Sequence, residues 1–149
     1  MRLTTFTDYC LRVLMFVGAK DDGFATIDEI AASYEVSRNH LMKVVFTLGQ
    51  LGYLTTVRGK GGGMRLARHP LEINLGVLVR QTEQDMSIVE CFQKEDGGCC
   101  LESVCVLQRA LGKALNAFLE VLDGYTLADL LTPKHKIAES LGIPLALPS

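Results

Sequence analysis

No stretch of the sequence is apolar for long enough to span a bilayer, which excludes a helical membrane protein. The start, Met1-Arg2-Leu3-Thr4-Thr5, lacks the charged n-region, continuous apolar core and small-residue cleavage site of a secretory signal; Asp8 and Arg12 interrupt its only apolar run. A reducing, cytoplasmic setting is therefore expected, where clustered thiols serve as metal ligands or redox groups more often than as structural disulfides. No C-x2-C pair occurs, so a common zinc-ligand spacing and a dithiol-enzyme scaffold are both missing, and no paired acid and base supports turnover. The chain is not expected to be an enzyme. Acid is missing locally as well, because no Asp or Glu lies between residues 36 and 71.

That gap stands out in a chain with a net charge of −2 and a pI near 5.9. The acid-free window holds Arg38, Lys43, Arg58, Lys60, Arg65 and Arg68, with His40 and His69 beside them. It can present a basic face to phosphates while residues 72 to 149 carry the acidic excess. With 149 residues, 48% of them hydrophobic, the chain can bury a core of ordinary size, and one globular unit with appendages is expected.

Apolar residues Leu3, Phe6, Cys10, Val13, Leu14 and Val17 recur at three-to-four spacing, and Thr5 with Asp8 forms a start signal, which predicts a first helix over 5–19. Asp21-Asp22-Gly23 ends it. Thr26-Ile27-Asp28-Glu29 is a capping box for a second helix through Ser33, and Ser37 is the N-cap expected for a third. The third helix carries the stripe Leu41, Val44, Val45, Leu48 and Leu51 and stops at Gly52. Two strand-like runs, from Tyr53 to Val57 and from Met64 to Ala67, flank the glycine-rich Arg58-Gly59-Lys60-Gly61-Gly62-Gly63, which predicts a β-hairpin with a basic tip. Beyond Pro70, Asn74 caps a short helix through about Gln81. Ser103 is a possible cap for a long helix with the stripe Leu107, Leu111, Ala114, Leu115, Phe118, Leu119 and Leu122. That narrow stripe suits a helix pairing with its twin. Thr126 to Leu131 reads as one more short helix stopped by Pro133, and the tail from Lys134 is expected to be mobile.

The expected fold is mainly α with a small β-hairpin wing: a winged helix-turn-helix over 1–70, then a cysteine-rich loop and long dimerisation helix over 71–131, then the tail over 132–149. In a winged helix-turn-helix the third helix enters the major groove and its first turn meets base edges. Ser37, Arg38, Asn39, His40 and Lys43 lie on that turn or one turn later, opposite the apolar stripe. Arg38 and Asn39 can pair bidentately with guanine and adenine edges, so they are assigned to bases, and Lys43, a flexible point charge, to phosphate. At the wing, Arg58 and Lys60 sit amid glycines that let backbone approach the duplex, with Arg58 the better minor-groove candidate. Polar residues on a helix can merely solvate it, but here the acid-free window, the helix order and the wing coincide.

Four of the five cysteines, Cys91, Cys99, Cys100 and Cys105, crowd into fifteen residues that include Asp96-Gly97-Gly98. Thiolates spaced loosely on a glycine-containing loop suit an iron-sulfur cluster, which the backbone must wrap. Zinc and a dithiol redox sensor remain the alternatives. Cys105 is placed in the first turn of the long helix, where the dipole favours its thiolate. Cys10, on the apolar face of the first helix, reads as a buried structural thiol.

The opening residues 1–9, Val36-Ser37-Arg38-Asn39-His40-Leu41, the wing residues 57–63, the spaced cysteines and Tyr125-Thr126-Leu127-Ala128-Asp129-Leu130 together resemble the NsrR family, bacterial nitric-oxide-sensing repressors related to the cluster-assembly regulator IscR. The resemblance covers about residues 1 to 131. It implies a cytoplasmic homodimer on a palindromic DNA operator, with one cluster per subunit, 4Fe-4S rather than 2Fe-2S, near the interface. Carried over, the ligands are Cys91, Cys99 and Cys105, with Cys100 a neighbour, and a fourth ligand is Asp8 of the partner subunit. An acid three residues after Thr5 also suits a helix N-terminus, so both roles stand for Asp8. IscR-like relatives carry a histidine three residues after the last cysteine, where this chain has Gln108, and that departure favours nitric oxide sensing over an IscR-like role in cluster assembly. A zinc- or thiol-based winged-helix regulator is the further alternative.

Overall fold

The computed structural model describes residues 2–21, 24–93 and 99–145. The helix stop at Asp22-Gly23, the Asp96-Gly97-Gly98 segment and Pro148 lie outside the described residues. Helix α1 spans Thr5–Ala19, α2 Ile27–Tyr34 and α3 Arg38–Gln50, followed by strands β1, Leu54–Val57, and β2, Gly63–Leu66. Then come α4, Leu75–Thr82, the long α5, Val106–Asp123, and two short helices, α6, Leu127–Leu130, and α7, Lys134–Ser140. Single 3-10 turns sit at Pro70–Glu72, Glu90–Phe92 and Glu102–Val104. No described helix is long and apolar enough to cross a membrane.

Local chemistry sets most of these boundaries. The Thr26 hydroxyl accepts from the Glu29 amide while the Glu29 carboxylate accepts from the Thr26 amide, a complete capping box. Ser37 Oγ accepts from the His40 amide and starts α3. Between α2 and α3 the chain turns through Glu35 at φ 54°, left-handed backbone that costs a residue with a Cβ roughly 1–2 kcal/mol. The stop after α3 falls at Gly52, whose φ of 77° suits glycine alone.

The hairpin pairs Leu54 with Leu66 and Val57 with Gly63. Ala25, just ahead of α2, adds a third rung: its amide donates to Met64 O at 2.9 Å and its carbonyl accepts from the Met64 amide at 2.7 Å. A Cβ on Gly63 would lie 2.4 Å from Ala25 O, so glycine is required for that approach. The wing is thereby tied to the foot of α2.

The core is built by Cys10, Val13, Leu14 and Phe16 of α1, Ile30 of α2, Leu41, Val44 and Leu48 of α3, and Tyr53, Ile73, Leu78 and Leu127 beyond them. Each buried Leu or Val contributes about 1.5–3 kcal/mol. Helix α1 is its spine, with α3, α4, α6, α7 and β2 against it. These elements form a winged helix-turn-helix with further helices packed behind it.

Three expectations need correction. The cap of α1 is Thr4, whose hydroxyl accepts from the Thr7 amide at 3.3 Å, so Asp8 does not form a start signal with Thr5. The cap of α5 is Cys105 rather than Ser103, because a 3-10 turn occupies Glu102–Val104 first. The stretch from 132 onward was expected as a mobile tail, yet α7 packs on α1 with Ala138 and Ile143 buried and the Ser33 hydroxyl donating to Leu141 O at 2.8 Å. Apolar residues Ile137, Ala138, Leu141 and Ile143 cover the open side of α1, a pattern hidden in the sequence by the surrounding lysines, histidine and prolines.

Candidate DNA interface and cysteine pocket

Ser37, Arg38, Asn39, His40 and Lys43 are all exposed on or beside the first two turns of α3, while Leu41, Val44, Val45 and Leu48 face the core. The periodicity of an α-helix enforces that separation. His40 leans towards Tyr9 of α1, ring centroids 6.2 Å apart. Arg38 is in an ion pair with Asp28, from the first turn of α2. The wing places Arg58 and Lys60 in solvent, on a tip whose Gly59 and Gly61 hold φ of 99° and 76°. Behind it, Arg65 lies over the Phe24 ring and Arg68 over Tyr53, where its guanidinium also donates to Leu51 O and Gly52 O at 3.0 Å. Arg68 is thus a brace for the end of α3, and the free cations are nearer the tip.

Cys91, Cys99 and Cys105 line one cavity of about 380 Å³ together with Val89, Leu101, Leu107 and Leu111 and the polar Glu90 and Gln108. Cys100 is exposed and does not line it. Cys105 Sγ accepts from the Gln108 amide at 3.3 Å, so this sulfur caps α5 and stands in the positive field of its first turn. Among the described residues, no three His, Cys, Asp or Glu side chains are gathered closely enough to hold one metal ion. A zinc ion draws sulfurs to roughly 2.3 Å from itself. Three thiols around an apolar-walled cavity are a donor set of the kind an iron-sulfur cluster takes, whose several irons spread its ligands apart.

Asp8 does not line this cavity; its carboxylate accepts from Arg12 Nε at 2.8 Å, one helical turn along α1. Arg12 also stacks over Tyr34, whose hydroxyl donates to Arg12 O at 3.2 Å. Cys10 is fully buried, and burial pushes its thiol up to about 12, so it stays protonated as a packing group. The sequence reading missed Arg12 and Asp28 as partners of site residues. The i,i+4 spacing of Asp8 and Arg12 was a usable signal, whereas Asp28 and Arg38 meet only once α2 and α3 are folded against each other.

The cysteine segment is joined to the helix-turn-helix through α4. Buried Thr82 and Thr7 share a hydroxyl hydrogen bond of 2.9 Å, and Glu83 Oε1 accepts from the Thr4 amide at 2.7 Å and the Thr4 hydroxyl at 3.0 Å. Arg80, in the last turn of α4, and Asp123 form a two-bonded pair at 2.6 and 2.8 Å, and at the other end of α4 Asn74 Nδ2 donates to Asp123 O at 2.7 Å. The Arg80 hydrogen bonds hold the Asp123 carboxyl below its usual range. Beyond that clamp α5 stands clear: none of its residues is buried, and Val106, Leu107 and Val121 are 68%, 65% and 61% exposed.

Comparison with known proteins agrees with this architecture. A family profile described as Rrf2, iron-dependent transcriptional regulator, matches residues 3–133. The chain is 51% identical over 142 residues to the HTH-type transcriptional regulator NsrR of Geobacillus kaustophilus (strain HTA426), covering 95% of this chain and 97% of that protein. It shows the same identity and coverage with the protein of that name from Bacillus subtilis (strain 168). Among solved structures, CymR (YrzC), the global cysteine regulator of B. subtilis, superposes with a TM-score of 0.71 at 26% identity, over 89% of this chain and 97% of that one. T. potens IscR follows with a TM-score of 0.70 at 26% identity, over 98% and 94%. A winged helix-turn-helix, a profile match across nearly the whole chain and relatives named as transcriptional regulators leave no place for an enzyme. The chain belongs to the Rrf2 family of transcriptional regulators.

Proposed function

We propose that this protein is a homodimeric repressor that senses nitric oxide through an iron-sulfur cluster, 4Fe-4S in type, and leaves its palindromic operator when the cluster is attacked. The observation that carries the reading is the meeting of Cys91, Cys99 and Cys105 at one apolar-walled cavity beside the first turn of α5, with Cys100 outside it. The relatives named NsrR support it, and Gln108, which lines the cavity, stands where the resemblance puts a histidine in IscR-like proteins. When bound, the cluster supplies iron that reacts with nitric oxide. Asp8 of the partner subunit is the proposed fourth ligand, which in this chain's own fold is a half-exposed carboxylate shared with Arg12. The proposed dimer contact is α5, none of whose residues is buried and whose Val106, Leu107 and Val121 stand exposed.

The route to DNA follows the hydrogen bonds already described. With a cluster bound, Cys91, Cys99 and Cys105 would be tied together beside Leu107 and Leu111 of α5. Glu83 and Thr82 at the end of α4 hold Thr4 and Thr7 at the start of α1, and α1 packs directly behind α3. A shift of the cysteine segment therefore reaches the spacing of two recognition helices through one rigid helix. Moving a population from almost all bound to almost all free needs about 5.5 kcal/mol of differential stability.

The test is anaerobic purification with iron and sulfide assays, then nitric oxide titration with DNA binding followed in parallel. Iron with stoichiometric sulfide and a loss of DNA affinity that tracks the titration are expected. Zinc without sulfide, or a reacted cluster with unchanged DNA affinity, overturns the reading. Asp8→Ala should keep the helical content and change the cluster spectrum; an unchanged spectrum removes Asp8 from the ligand set and leaves it to Arg12.

A further inference from the structure

We infer that Asp28 is a specificity determinant: it holds the Arg38 guanidinium in place for base reading and lowers the attraction of that guanidinium for phosphate. The inference rests on the reading of α3 as the DNA-reading helix. Arg38 opens α3 and Asp28 lies in the first turn of α2, so the pair bridges the two helices of the helix-turn-helix motif. Among the described residues no acid lies within ion-pair distance of Lys43, Arg58 or Lys60. Among the described residues Arg38 is the one cation of the acid-free window found in an ion pair, and it is the cation best suited to read guanine.

The energetics say what such a pair is for. Both side chains are mostly exposed, 60% for Arg38 and 68% for Asp28. Pairs of that exposure contribute about 0–1 kcal/mol to stability, so the fold does not depend on this one. Arginine carries about 2 kcal/mol of rotamer entropy, part of which is lost in any bidentate base contact. Asp28 meets the guanidinium at Nη1, which leaves the Nη2 and Nε edge as a two-donor fork, the shape that meets guanine O6 and N7. Preorganisation favours the correct base. The same carboxylate cancels a positive charge that would otherwise bind any phosphate, and phosphate attraction is the sequence-independent part of DNA affinity. Both effects act in one direction: they widen the ratio between cognate and random DNA.

The test uses the full chain purified anaerobically and a duplex recovered from a randomised pool by selection with the wild-type protein. Affinity for it and for a shuffled duplex of equal length is measured over a range of salt for wild type, Asp28→Asn, Asp28→Glu, Arg38→Ala and the double variant Asp28→Asn with Arg38→Ala. Asp28→Asn is expected to bind the shuffled duplex more tightly and to steepen its log-log salt slope by about 1, one further phosphate neutralised. Its selected-to-shuffled ratio is expected to fall roughly tenfold, with Asp28→Glu retaining most of the ratio. On the Arg38→Ala background, Asp28→Asn should leave the ratio unchanged. A ratio within twofold of wild type for Asp28→Asn, or an equal fall on both backgrounds, overturns the inference while DNA reading by α3 stands. If the wild type selects no sequence at all, the proposed function fails and takes the inference with it.

Discussion

Replacing Gly63 by alanine tests whether the wing is held by its contact with Ala25 or only by its own hairpin. The new Cβ would lie 2.4 Å from Ala25 O and 2.8 Å from Phe24 Cβ, with backbone on one side and a packed segment on the other. Gly63 also sits at φ 151°, at the margin of what a residue with a Cβ adopts. Relief requires the hairpin to swing away, breaking the two hydrogen bonds between Ala25 and Met64. Each such bond is worth about 0.5–1.5 kcal/mol, and backbone strain at a sparsely populated angle adds about 1–3 kcal/mol, so a loss of roughly 2–6 kcal/mol is expected. For a chain of this length, 1 kcal/mol lowers Tm by about 2–4 °C, which puts the fall on the order of 5–20 °C. Gly59→Ala is the control, because Gly59 has a comparable need for positive φ, 99°, and nothing within 4 Å. It should cost about 1–2 kcal/mol from conformation alone. Urea denaturation of both variants, with DNA affinity measured under native conditions, reads the two effects. Equal losses for Gly63→Ala and Gly59→Ala would refute the argument that Ala25 anchors the wing.

Three further outcomes follow from the site. Cys99→Ser should abolish iron and sulfide in anaerobic preparations while Cys100→Ser retains both, since only Cys99 lines the cavity; equal loss in the two variants would return Cys100 to the ligand set. Arg38→Ala should lose about 1–3 kcal/mol on the selected duplex and less on shuffled DNA, and equal losses would make it a phosphate contact. The Cys10 thiol ionises near 9.0 in an unfolded chain and about 12 in the fold, so the folded state holds its proton more tightly. Its contribution is complete below pH 9 and is lost as pH rises towards 12, at about 1.4 kcal/mol per pH unit, a slope that Cys10→Ala should flatten in urea titrations at pH 8, 9 and 10.

Much of the fold was legible because its signals are local. Thr26, Ser37 and Asn74 each cap the helix they were expected to cap, and Gly52 ends α3, because a side-chain oxygen or a left-handed glycine acts on its immediate neighbours. The hairpin was legible for the same reason. The tail was not: Ile137, Ala138, Leu141 and Ile143 stand among lysines, a histidine and prolines, and only the open side of α1 gives them somewhere to go. At the site, the family resemblance implied Cys91, Cys99 and Cys105 as ligands with Cys100 a neighbour, and the cavity is lined by the first three. The roles of Asp28 and Arg12 were invisible or half visible because each depends on a second helix arriving beside the first: Arg12 needs Tyr34 of α2, and Asp28 needs Arg38 of α3.

The sulfur of Cys105 terminates a helix and faces a cavity at once. Few protein atoms combine a chemical reactivity with a structural boundary, and the combination ties two quantities together. Any change at this sulfur therefore acts in two places, on the cavity it lines and on the capping of the Gln108 amide in the first turn of α5. The first turn of the longest helix and the lining of the cavity thus share one atom, so the geometry of the one is coupled to the chemical state of the other.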